Sequence, residues 1–561
     1  MRVAESAHLA ASPAATWMNA FPISAVVASR YSALVACSVV SVVGLGMLVD
    51  RMPHAGWVAW PAVVLTSIGL IDLVQTRHAI RRNYPILGNL RYFFEFVRPE
   101  LRQYIVESDT EARPFSRLQR SIVYQRAKKE LDKVPFGTQL DLYEEGREWI
   151  NHSMVPAPIA GHDFRLSIGG PDCKAPYSAS VFNISAMSFG SLSANAILAL
   201  NRGARMGGFS HDTGEGGISR YHREHGGDLV WEIGSGYFGC RTPEGRFDPD
   251  RFAEQARDPQ VRMIEIKLSQ GAKPGHGGVL PAAKVSPEIA RARGVAPRVD
   301  CISPATHGEF STPIGLLEFV ARLRELSGGK PVGFKLCVGH PWEIFAIAKA
   351  MIATGIHPDF MVIDGAEGGT GAAPAEFVDH VGMPLQEGLL LVHNTLVGLN
   401  LRDDIRLGAS GKVVTSFDIA RTLAIGADWC NSARGFMFAL GCVQAQHCHL
   451  DTCPSGVATQ DPLRMRGLVV STKAERVASF HRNTLKALAE LIAAAGLTHP
   501  NQLRPHHIVQ RASHNEVRLL SHLLPFLKPG ELLQGERSGD FPHKVYEVWW
   551  PRTRAQSFAL D

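Results

Sequence analysis

No strong excess of charge of either sign marks this sequence: 58 Lys and Arg against 53 Asp and Glu leave a net charge of +5 over 561 residues. The basic residues are scattered and form no stripe of the kind a nucleic-acid partner needs, although an anionic small molecule requires only a local patch. A disulfide framework is lacking too, because the nine cysteines are an odd number dispersed from Cys37 to Cys453 in a long chain. No G-x-G-x-x-G follows a strand pattern and opens a helix, so no NAD(P) or FAD domain is expected and electrons must arrive from outside. What the length does allow is one large core of α/β-barrel size with segments left over at both ends.

Two long apolar runs are present near the start. Residues 31–49 carry no charge, and 57–71 form a second, shorter run, which together predict a membrane hairpin with helices at about 31–49 and 57–74. A signal peptide would leave the second run unexplained, and a buried helical pair is the remaining alternative. Arg30 before the first run and Arg77, Arg81, Arg82 and Arg91 after the second place both ends, and the rest of the chain, on the cytoplasmic side of the inner membrane. Residues 81–150 then read as a basic, amphipathic helical linker, with a charged helix over 115–133. It either lies along the membrane or forms a collar on the following domain.

From 151 to 470 strand patterns alternate with helix patterns. Strands are expected at 181–185, 208–212, 263–268, 300–303, 332–336, 360–364, 405–408 and 429–431, and helices at positions such as 313–326 and 341–352. Eight units predict a TIM (β/α)8 barrel, whose functional residues sit where strands end. A helical extension, notably 473–495, fills 471–561.

Three cysteines, Cys442, Cys448 and Cys453, fall at C-x5-C-x4-C spacing in a polar run, with Pro454 and Gly456 supplying a tight turn. Three soft ligands wrapped around one point suit an iron–sulfur cluster, or zinc with His447 or His449 as a fourth ligand; spacing alone leaves both open. Glycine-rich strings follow several strands: GASG at 408–411, ARG at 433–435 and DGAEGGTGAAP at 364–374. Such loops let backbone N–H groups approach a phosphate.

The cysteine run with its trailing GVATQDP, together with NISAMSFGSLS at 183–193, DTGEGG at 212–217, IKLSQGAKPGHGG at 266–278 and the 364–374 string, strongly resembles the FMN-binding synthase domain of glutamate synthase. The motifs share its order and cover roughly 183–462. The resemblance implies FMN and a [3Fe-4S] centre on Cys442, Cys448 and Cys453, with Cys430 leaving [4Fe-4S] open. It places Ala186, Met187 and Ser188 against the flavin, Gln270 and Lys335 at its polar edge, and Gly368, Gly369, Gly371, Gly408, Gly411 and Gly435 where backbone approaches it. For Lys335, pairing with a carboxylate such as Asp364 is the alternative. Lys273 and Arg293 match the positions that bind the carboxylates of 2-oxoglutarate, and Glu215 the acidic residue beside that substrate.

Reductive amination of 2-oxoglutarate or a related 2-oxoacid through its imine is the implied reaction, with an external donor, a ferredoxin or reductase subunit, supplying electrons. Arg2 follows Met1 and the first cysteine lies in an apolar segment, so ammonia is expected from outside the chain. His276, Val279 and Ala282 depart from the family's motif, which has an acidic residue, glutamine and glycine there. Loss of the glutamine removes a polar contact and bears on which 2-oxoacid fits. A flavin amino-acid or hydroxy-acid dehydrogenase linked to the membrane, and a non-catalytic FMN-binding scaffold, are the alternatives.

Overall fold

The computed structural model describes residues 23–534 and 544–560. They fall into two compact units divided between Ala112 and Arg113. In the first, helices Ile23–Val49 and Gly56–Val74 fold back on each other around the turn Pro53–Ala55. Small residues bring them close: a Cβ on Gly44 would lie 2.7 Å from that of Ala59, and Ser41 shares a 3.1 Å hydrogen bond with Thr66. Stretches Arg30–Val49 and Pro53–Val74 are long and apolar enough to cross a bilayer by length and composition. Asp72, the one acid in the second helix, is buried and accepts from Ile86 N at 3.0 Å and from Asn89 Nδ2, which ties down the start of helix Leu87–Leu101.

The second unit is built on a closed barrel of eight parallel strands: β1 (Phe182–Ile184), β2 (His211–Asp212), β3 (Leu229–Ile233), β4 (Val261–Lys267), β5 (Val332–Leu336), β6 (Phe360–Asp364), β7 (Arg406–Ser410) and β8 (Trp429–Ser432), neighbours in chain order. Strands such as FMVID are apolar runs because helices cover the barrel outside and side chains fill it inside. The covering helices carry their own start and stop signals. Pro341–Thr354, for instance, begins on proline and ends on Gly355 in the left-handed conformation, while Ser416–Ile425 starts with a Thr415/Asp418 capping box.

Two expectations about strands are corrected. Residues 300–303 contribute only Cys301–Ile302, paired antiparallel with Val279–Leu280 in a ribbon outside the barrel. The strand missed is β3, whose charged Glu232 disguised a fully buried segment. The linker also divides: helix Arg117–Lys128 belongs to the second unit, where Asn483 donates to Arg126 O at 2.8 Å from the long helix Val470–Ala494. Nor is the C-terminal extension all helical, since Ile508–Ser513 pairs antiparallel with both Glu148–Ile150 and Glu516–Leu519. The last aromatic residues pack on the barrel helix Pro341–Thr354, with Tyr546 stacked 4.9 Å from Phe345.

Candidate active site at the barrel mouth

Glycine sets how closely the loops beyond the strands approach one another. Gly214, at φ +64°, follows β2 and runs against Ser188 N of the loop after β1; a Cβ there would lie 2.6 Å from that nitrogen. After β4, a Cβ on Gly271 would come within 1.8 Å of Gly365 O in the loop after β6. Asp364, the last residue of β6, holds this contact by accepting from Gly271 N at 2.7 Å. The predicted loops after β1, β2, β4 and β6 therefore converge on one mouth.

Glu215 lies at its centre, in space left by Gly278, where a Cβ would come 2.1 Å from Glu215 Oε1. Lys267, at the end of β4, pairs with Glu215 at 3.1 Å. Burial pushes the Glu215 carboxyl up, but Lys267, then Arg293 and Lys273, hold it below the usual range. Lys273 and Arg293 are themselves 3% and 4% exposed, so neither is a surface cation. Arg293 donates to Ser188 Oγ and Phe189 O, both at 3.3 Å, lies 5.2 Å from the Phe238 ring and keeps a buried Nε with no partner. Burial and then Lys267 push the Lys273 ammonium down. Three cations around one carboxylate leave two positive charges in excess. Uncompensated buried charge costs several kcal/mol per ion, so this pocket favours an anion, and a dicarboxylate matches the excess.

Lys267 was not foreseen, although its place at a strand end was the available signal. His307 and Tyr237 were also missed. His307 Nε2 donates to Lys267 O at 2.9 Å, which leaves Nδ1 to accept from Tyr237 OH at 3.2 Å, and burial pushes the imidazole down to about 4, so it is neutral. His276 turns its ring edge to Phe377 with centroids 5.5 Å apart, and Val279 is half-buried in the ribbon.

Around the loops after β1 and β4, Met187 is buried and Ala186, Ser188 and Gln270 are half-buried at the mouth. Lys335 is elsewhere. Its ammonium is 3.1 Å from Glu265, closer still to Glu232, and wholly enclosed in the barrel. Burial opposes its charge, yet Glu232, Glu265 and Asp212 hold it well above the usual range. Asp212, Glu232 and Glu265 bring their oxygens within 4.8 Å of one another, and burial pushes Glu265 up to about 7. The expected contact of Lys335 with a flavin edge is therefore corrected: this ammonium neutralises the barrel's interior carboxylates.

Gly408 is corrected as well. It lies within β7, where a Cβ would come 2.4 Å from the Trp429 indole, so glycine there admits a core aromatic. Gly435 faces Ser432 and Phe480, and Gly411 faces Leu385 and Glu367. Between the last two strand ends stand cations hidden in the GASGK and ARG strings, Lys412 and Arg434. Burial, then Arg434, pushes Lys412 down, and burial pushes Arg434 down to about 10. Arg434 donates to Glu367 O at 2.7 Å and lies beside Gly369. Two like charges in a partly buried loop pair suit a phosphate.

The cysteine loop follows helix Arg434–Leu440 and turns through left-handed Gln444, Gln446 and Asp451. Tyr124 OH donates to Cys442 O at 2.6 Å, and Gly371 faces Cys448, which brings the β6 loop to the cysteines. Burial pushes Cys442 up to about 12; for Cys453 burial is outweighed by the Ser455 hydroxyl and the backbone N–H groups of Ala458, Ser455 and Val457, which favour its thiolate. His447 and His449 are exposed. Cys430 is buried within β8. Among the described residues, the one three-donor group within 4.8 Å is the interior carboxylate trio. The three sulfurs of Cys442, Cys448 and Cys453 do not all lie within 4.8 Å of one another.

The family model for the conserved region in glutamate synthase matches residues 172–498. The glutamate synthase large subunit-like protein YerD of Bacillus subtilis is 37% identical over 84% of this chain and 97% of its own length. An archaeal-type glutamate synthase [NADPH] of Thermotoga neapolitana is 34% identical over 57% of this chain and 60% of its own. The glutamate synthase [NADPH] large chain of Bacillus subtilis is 36% identical over 50% of this chain, which spans 18% of that protein.

Proposed function

Because this chain belongs to the glutamate synthase family and is an oxidoreductase of that kind, we propose that it carries out reductive amination of 2-oxoglutarate or a related 2-oxoacid, using ammonia and electrons from outside the chain. The observation that carries this reading is the excess of two buried positive charges around Glu215. Lys273 and Arg293 would bind the substrate carboxylates, and Lys267 would keep Glu215 ionised beside them. With Val279 where the family's motif has glutamine, this chain offers no side-chain amide at that position, which would favour 2-oxoacids that place no hydrogen-bonding group there.

FMN, when bound, would supply hydride transfer, and a [3Fe-4S] cluster one-electron transfer from the donor. Lys412 and Arg434, with backbone at Gly411 and Gly435, would hold the flavin phosphate. Ala186, Met187, Ser188, Gln270 and the backbone of Gly368, Gly369 and Gly371 would line its ring, and Cys442, Cys448 and Cys453 would hold the cluster. The apolar helices would anchor the protein in the cytoplasmic membrane with the barrel on the cytoplasmic side, an orientation supported by the arginines flanking them.

The test is turnover: protein purified anaerobically and reduced by a ferredoxin or viologen donor is given ammonia and a panel of 2-oxoacids. Amino-acid formation with a dicarboxylic 2-oxoacid preferred over pyruvate is expected; no product from any 2-oxoacid would sink the proposal. Flavin bleaching by amino or hydroxy acids without a donor would instead favour a dehydrogenase feeding the membrane, a second reading motivated by the apolar hairpin.

A further inference from the structure

Polar contacts bind the cysteine loop to the barrel mouth. Ser193 N donates to Val457 O at 2.9 Å and Ser193 Oγ to Gly456 O at 2.7 Å, while Gln460 Nε2 bridges Gly190 O and Leu192 O at 3.0 and 2.9 Å. Lys284 stands in this seam, on the short turn Ala282–Lys284, with 3% of its surface exposed. Its ammonium donates to Ser191 O at 3.1 Å, in the loop after β1, and to Ala458 O at 3.0 Å, in the cysteine loop.

Both acceptors are neutral carbonyls. The groups whose negative charge, when ionised, would act on the ammonium are Asp451, then Cys448 and Cys453. Asp451 is also engaged, its Oδ1 accepting from Gln460 N at 2.7 Å. The buried ammonium is therefore held by two uncharged acceptors, one of them in the cysteine loop. At the other end of the loop Arg120, buried with its Nε unpartnered, faces Cys442. Three thiolates would thus have a buried cation on either side.

We propose that Lys284 is a positioning residue for the redox centre: its buried positive charge, hydrogen-bonded to Ala458 O of the cysteine loop, anchors that loop and raises the centre's reduction potential. This rests on the reading that Cys442, Cys448 and Cys453 hold an iron–sulfur cluster. One-electron reduction by the external donor places an extra negative charge next to a fixed cation, which Coulomb attraction in a desolvated seam favours. Replacing the cation by a neutral side chain removes that bias together with the hydrogen bond to Ser191 O at the far end of the loop after β1, so FMN content is measured beside the potential.

The full-length protein and its Lys284→Met, Lys284→Gln and Lys284→Arg variants are assayed for FMN, iron and sulfide, and the cluster is titrated by electron paramagnetic resonance at set potentials. The neutral variants are expected to keep FMN and to shift the midpoint negative by about tenfold in the reduction equilibrium, about 59 mV for a one-electron couple; Lys284→Arg stays near the wild-type value. Loss of iron from FMN-loaded Lys284→Met and Lys284→Gln, with retention in Lys284→Arg, supports the anchoring role. A wild-type midpoint in both neutral variants, or a shift in Lys284→Arg as large as theirs, overturns the proposal. Wild-type protein with FMN but without iron and sulfide overturns the cluster reading itself, before any variant is made.

Discussion

At the scale of single residues, charge accounts for most of the site and close contact for the rest. Arg293 makes two hydrogen bonds at 3.3 Å while keeping one buried nitrogen without a partner. A hydrogen bond to a charged group contributes about 1.5–3 kcal/mol. Arg293→Ala is therefore expected to raise KM for the 2-oxoacid by roughly 10–100-fold, since each 1.4 kcal/mol is tenfold. Steady-state kinetics checks this, and an unchanged KM would remove Arg293 from the substrate site. Gly408 makes the opposite point. With the Trp429 ring 2.4 Å from any added Cβ, Gly408→Ala should lower stability by about 1–3 kcal/mol, as overpacked cores do. Flavin content of the folded fraction should stay unchanged, as thermal melting and absorbance would show, because the residue packs against the Trp429 indole within the barrel wall.

At the scale of elements, the strands set up a charged interior and the loops the redox chemistry. Glu265 on β4 is pushed up to about 7 by burial beside Glu232 on β3, with the Lys335 ammonium of β5 opposing the shift. Its folded value lies above that of the unfolded chain, so the native state binds the extra proton between about pH 4.5 and 7, and stability falls as pH rises through that window. Glu265→Gln should flatten that decline in melting temperature from pH 5 to 7; the same slope in both proteins would mean the proton is held elsewhere in the trio. The cysteine loop gives a separate test. Cys448→Ser should lose iron and reduction by a one-electron donor while retaining FMN and its direct reduction by dithionite. Equal retention of both routes would show that the loop transfers no electrons.

At the scale of the whole molecule, the division after Ala112 matters most. The barrel unit has its own continuous core, and the first unit displays apolar side chains such as Val42, Trp60, Val64 and Ile71 on its hairpin. A chain beginning at Arg113 is expected to leave the membrane fraction yet bind FMN as the full chain does. Sedimentation of both forms with and without membranes checks this, and equal partitioning would show that the hairpin is no anchor.

The sequence by itself determined what depends on neighbours in the chain. The apolar runs, the cysteine spacing, the glycine strings and seven of the eight barrel strands could be seen because each is a local pattern of period, length or turn chemistry. Even the order of the family's motifs is a one-dimensional property. Only the tertiary structure decided which charges meet. Lys335 finds Glu232 across 103 positions, and Lys284 finds Ala458 across 174. Barrel closure makes such pairs, so a lysine at a strand end reads alike whether it faces the mouth, as Lys267 does, or the interior, as Lys335 does. For the same reason β3 escaped notice: the charge of Glu232 argues for an exposed residue until a buried ammonium from two strands further round is placed beside it.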